Sequence, residues 1–66
     1  MSEKIFSAAE LAKEAEREVR QRRWTYARLV GEGRLQAEIA ERRIALMEEI
    51  ALELRRRAEA EEPTLL

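Results

Sequence analysis

The sequence predicts an all-α protein, an antiparallel two-helix hairpin that doubles with a second copy into a four-helix bundle. Two long segments free of Gly and Pro flank Gly31-Glu32-Gly33, and both carry apolar residues at helical spacing. The second segment also has more apolar surface than one neighbouring helix can cover. Together these observations specify two helices, a tight turn and a need for a further partner. The expected boundaries are a first helix over about 7–30, a turn at 31–34, a second helix over about 35–60 and a frayed tail at 61–66.

The start of the first helix is written in Ser7-Ala8-Ala9-Glu10. Ser7 can accept from the third helical amide while Glu10 reaches back to the Ser7 amide, the reciprocal arrangement of a capping box. Phe6 before the cap and Leu11 after it are placed to form a hydrophobic staple. At the other end, either Gly31 or Gly33 can adopt the left-handed conformation that closes a helix. The second helix runs without interruption to the region of Ala60, and Pro63 lies beyond it. Glu10, Glu14 and Glu16 near the first N-terminus complement the helix dipoles, as do Arg55, Arg56 and Arg57 near the second C-terminus. Helices of equal length joined by a short turn lie antiparallel.

The apolar stripe of the first helix is narrow: Ala8, Ala12, Ala15, Val19, Tyr26, Leu29 and Val30, interrupted by Arg22. In the second helix Ala37, Ala40, Ile44, Met47, Ala51, Leu54 and Ala58 make one row, with Leu35, Ile39, Leu46 and Ile50 beside it. Ile39, Ile44, Leu46, Met47, Ile50 and Leu54 are therefore the expected contact with a second copy. The alternative is a hairpin that stays single until a different protein covers this face, as an assembly subunit of a larger complex would do. Energetics point the same way. A globule of 7.7 kDa would expose roughly 4,300 Å² of the roughly 11,000 Å² of its unfolded chain. With about 60% of the buried area apolar, burial supplies about 100 kcal/mol. Ordering the chain costs about the same at ~1.5 kcal/mol per residue. A lone hairpin buries less than a globule, so a partner is expected.

Composition excludes several functions. The chain has neither Cys nor His, which removes disulfide staples, thiolate or imidazole metal sites and the commonest general base. Its few hydroxyls lie in no nucleophile motif, and Gly31-Glu32-Gly33 lacks the preceding strand of a phosphate loop. No enzyme activity, cofactor, metal or small-molecule substrate is expected. No apolar run approaches the ~20 residues of a membrane span, so a soluble cytoplasmic protein is expected. The net charge of −1 exerts no global attraction for nucleic acid or anionic lipid.

The stretch from Arg17 to Arg28 stands apart. It holds Arg17, Arg20, Arg22, Arg23 and Arg28 against Glu18 alone, with Trp24 and Tyr26 interleaved. At ~100° per residue Arg17, Arg20, Trp24 and Arg28 share one face, away from the apolar stripe. That face can be a solvated set of ion pairs, a contact for a partner protein, or a nucleic-acid contact through phosphates and stacked bases. The protein contact is preferred to the nucleic-acid one. Arg20 or Arg28 can also simply stack on the indole. Arg22, on the stripe, is expected to snorkel or to pair with Glu41 or Glu48. Tyr26 is expected in the core with its hydroxyl at an edge.

The central run from Glu18 to Val30, then Gly33-Arg34, Glu38-Ile39 and Ile44 to Ile50, resembles a set of short uncharacterised bacteriophage and prophage proteins. Their pattern has an Arg-rich turn, a Tyr soon after, a Gly-Arg turn and a helix ending in Met-Glu-x-Ile. Arg22, Tyr26, Gly33, Met47 and Ile50 occupy those places. The resemblance covers about Glu18 to Leu54, and Trp24 departs from it. It implies a phage or mobile-element origin, a place in the host cytoplasm and binding to a host or phage protein, with no assigned activity. The expected architecture is also similar to plasmid copy-number regulators, dimeric helical hairpins that bind paired RNA loops, without sharing a motif with them.

Overall fold

In the computed structural model, the described residues are 5–61, and the hairpin comprises α1 (Ala8–Gly31) and α2 (Ala37–Glu61). The capping box closes as its residues dictate. The Glu10 amide donates to Ser7 Oγ at 3.1 Å, and the Ser7 amide donates to Glu10 Oε1 at 3.0 Å. Phe6 and Leu11 are still 57% and 41% exposed, so the staple positions hold much apolar surface in water.

Gly33 is the glycine that ends α1. It takes φ +75°, while Gly31 stays in the helix. The Arg34 amide donates to the Leu29 carbonyl at 2.9 Å and the Gly33 amide to the Val30 carbonyl at 3.0 Å. This pair of bonds is a Schellman closure, which satisfies two carbonyls that the helix end would otherwise leave unpaired. Because the closure uses Arg34, α2 begins at Ala37, two residues later than the periodicity implied. The Gln36 carbonyl accepts its first helical bond from Ala40 at 3.0 Å. Glu61, assigned to the tail from the sequence, is the last residue of α2, and the tail's remainder, 62–66, lies outside the described residues.

The helices run antiparallel, since Glu16 bonds Arg55 while the later Arg23 bonds the earlier Glu48. Their seam is made almost entirely of methyl groups. Ala8, Ala12, Ala15 and Val19 of α1 and Ala40, Ala51 and Ala58 of α2 are buried, and Val19 is the largest side chain among them. Small residues let the backbones approach closely, and the bulkier side chains are displaced to the flanks. Met47 and Leu54 pack half-buried against Ala15, Val19 and Ala51. Tyr26, Leu29, Val30 and Ile44 are also half-buried.

The expected contact with a second copy therefore divides in two. Ile44, Met47 and Leu54 are half-buried within the hairpin, whereas Ile39, Leu46 and Ile50 are 41%, 51% and 49% exposed. The chain exposes 5408 Å², against roughly 4,300 Å² for a compact globule of its mass. Its thinnest dimension, 14 Å, is little more than one helix diameter. Among the described residues no helix is long and apolar enough to cross a membrane.

Two substitution experiments check these features by thermal melting followed by circular dichroism. A methyl group added at either glycine meets no atom within 4 Å, so backbone conformation alone sets the effect. Gly31→Ala should stabilise the helix by about 0.5–1 kcal/mol, and Gly33→Ala should destabilise it by about 1–2 kcal/mol. Ala12 is wholly buried in the seam. Ala12→Leu should force the helices apart and cost about 1–3 kcal/mol.

Candidate functional site

The side chains on the outer face of α1 follow from its helical register. Arg17, Arg20, Trp24 and Arg28 lie along one side, and three of the four are engaged by carboxylates or by one another. Arg17 is tied to Glu14 at 3.0 Å, one turn back. Arg28 reaches Glu32 at 3.4 Å, and its guanidinium carbon lies 5.9 Å from the Trp24 ring centroid. That is the outer limit of a cation–π contact, worth about 0.5–1 kcal/mol at an exposed site. Arg20 makes no ion pair among the described residues. Trp24 is 69% exposed, more than any other large apolar residue described.

A shallow depression is lined by Arg20, Arg23, Trp24, Ala27 and Arg28. Ala27 forms the gap, because a methyl group stands where the neighbouring positions carry long side chains. Arg20, Trp24 and Arg28 are thus brought together, and Arg17 is set apart by one turn. Arg23 and Ala27 join the site without having been singled out from the sequence. Arg23 stands three residues after Arg20 and Ala27 three after Trp24, and that spacing was the available signal.

A second depression adjoins the first, sharing Arg20 and Arg23 and reaching across to Leu52 of α2. Leu52 is 49% exposed and belongs to neither apolar row. Two ion pairs frame this area, Arg23 with Glu48 and Arg55 with Glu16. The latter is bidentate, with Arg55 Nε and Nη2 donating to Glu16 at 3.0 and 2.9 Å. The hydrogen bonds from Arg55 hold the Glu16 carboxyl below its usual range, against some desolvation and with help from the charges of Arg55 and Arg20. The same bonds raise the Arg55 guanidinium above its usual value.

Arg22 does not take either of the α2 acids named for it. It pairs with Glu18 at 3.1 Å and donates to the Arg43 carbonyl at 3.0 Å, instead of meeting Glu41 or Glu48. Glu48 is occupied by Arg23, and an acid one turn away on the same helix costs less ordering to reach than one across the seam. The Tyr26 ring is half-buried beside it.

No protein-family model, curated protein or solved structure matches this chain. The likeness to phage and prophage proteins thus has no counterpart in these comparisons.

The Glu16–Arg55 pair generates a pH dependence. Because the folded state lowers the Glu16 pKa, its stabilisation is present above the usual value of 4.5 and is lost as pH falls through the lowered one. Melting temperatures measured at successive pH values below 4.5 should fall more steeply for the natural chain than for Glu16→Gln. Parallel curves would remove this pair from the acid response.

Proposed function

We propose that this protein is a non-enzymatic interaction module, in which two hairpins join along α2 into a four-helix homodimer and each α1 offers its Arg/Trp face to an acidic partner protein. The observation that carries the reading is Trp24, 69% exposed beside Arg20, which makes no ion pair among the described residues. An indole in water holds a large unrealised burial energy, and Trp and Arg are the residues most enriched where protein contacts carry their energy. Arg17 and Arg28 add positive charge, and their ion pairs, to Glu14 and to Glu32 at the helix end, are exposed. Such pairs contribute about 0–1 kcal/mol and exchange readily for a partner's carboxylates.

The nucleic-acid reading is the weaker one, because phosphate binding draws on a net excess of cations and the chain carries a formal charge of −1. The homodimer rests on the exposed row Ile39, Leu46 and Ile50, which a single hairpin leaves uncovered.

Quantitative affinity capture tests the assignment, with the natural chain, Trp24→Ala and Arg20→Ala as parallel baits. At least one captured protein should be depleted tenfold or more by both substitutions, with hot-spot losses of about 2 kcal/mol. Identical recovery by all three baits would remove the Arg/Trp face from the function. Titration with short single-stranded RNA at low salt should show no binding, and steep salt-sensitive binding would transfer the face to nucleic acid.

A further inference from the structure

The exposed row of α2 is part of a longer heptad series with charges of defined sign at fixed places. Ile39, Arg43, Leu46, Ile50, Glu53 and Arg57 succeed one another in alternating steps of four and three, the spacing of a coiled-coil seam. At ~100° per residue this series lies about a quarter turn or more around α2 from the alanine seam. It is therefore distinct from the surface already used by α1. Ile39, Leu46 and Ile50 are its exposed apolar members. Arg43 and Arg57 make no ion pair among the described residues, and Glu53 is held only by Arg56 on its own helix, with both side chains more than half exposed.

We infer that a second copy of the chain covers this row with its α2 antiparallel, in the register that sets Leu46 against the partner's Ile50 and Arg43 against the partner's Glu53. This deepens the homodimer reading and rests on it. In an antiparallel pair the two kinds of seam position alternate across the interface, so each d-type position meets an a-type one. Two-fold symmetry then makes the Leu46–Ile50 layer and the Arg43–Glu53 layer each occur twice, on either side of the axis. In the outermost layers Ile39 meets the partner's Arg57, whose long stem can cover it while the guanidinium stays in water.

Other arrangements of the two α2 helices set like charges together or leave charges opposite apolar residues. A parallel pair in register sets Arg43 against Arg43, Glu53 against Glu53 and Arg57 against Arg57. Each of its charged layers is repulsive. Sliding the antiparallel pair by one heptad in either direction brings Arg43 or Arg57 opposite Leu46 with no acid across from it. Only the stated register matches apolar with apolar and positive with negative at the centre.

The test is light scattering of the full chain over a dilution series, with Arg43→Glu and Glu53→Arg as separate variants and as an equimolar mixture. The natural chain should have the mass of two chains. Each variant places like charges in both Arg43–Glu53 layers and should dissociate at least tenfold more readily. The mixture should recover the two-chain mass, because the Arg43→Glu chain and the Glu53→Arg chain complement each other in both layers. Circular dichroism on each variant checks that the exposed substitutions leave the helices intact. If either loses helicity, the double variant Arg43→Glu/Glu53→Arg is scored instead and should dimerise like the natural chain. A natural dimer that both variants leave unchanged, or that neither the mixture nor the double variant restores, overturns the register while keeping the homodimer. A natural chain with the mass of one chain at every concentration overturns both, and leaves the row to a different protein.

Discussion

Because α1 and α2 meet through alanine methyls, their backbones lie close while little apolar area leaves water. The rest of the molecule follows from that exchange. The seam holds Ala8, Ala12, Ala15, Ala40, Ala51 and Ala58 with Val19 as its bulkiest member, so the larger side chains are turned to the flanks. Ile39, Leu46 and Ile50 emerge on one flank of α2, and Leu52 on the other. A conventional core would have withdrawn these residues from solvent and left a self-contained hairpin. Here the apolar surface that most resembles a core lies on the outside.

Methyl surfaces are smooth, so they specify how near two helices come better than how they align. Alignment falls to the Schellman closure around Gly33 and to the ion pairs across the seam, Glu16 with Arg55 and Arg23 with Glu48. Pairs this accessible to water add little net stability, yet they penalise a slipped arrangement in which the charges miss one another. They also hold Arg20 and Arg23 between two depressions, so the elements that set the register of the hairpin shape the candidate binding face as well.

Much of this was legible in the sequence where a local chemical rule was decisive. Ser7 and Glu10 named the start of α1, and the alternation of alanines named its buried side. The off-stripe place of Trp24 foretold its exposure. Sequence was weaker where no such rule applied. Gln36 is a poor helix cap, so nothing local marked Ala37 as the start of α2, and only the closure around Gly33 does so. The partner of Arg22 depended on competition, since Arg23 holds Glu48 and leaves Arg22 to Glu18 and the Arg43 carbonyl. Leu52 belonged to neither row, and its nearness to Arg20 and Arg23 arises only when α1 folds back along α2.

The alanine seam has one more consequence, for observation of the protein in solution. The chain has a single tryptophan, and its indole stands on the outer face of α1, away from the seam. Its fluorescence is therefore nearly blind to whether the helices are paired, and responsive to whatever approaches Arg20, Ala27 and Arg28. The natural chain thus carries its own optical reporter of occupancy at the face where recognition is proposed, with no label to disturb the surface.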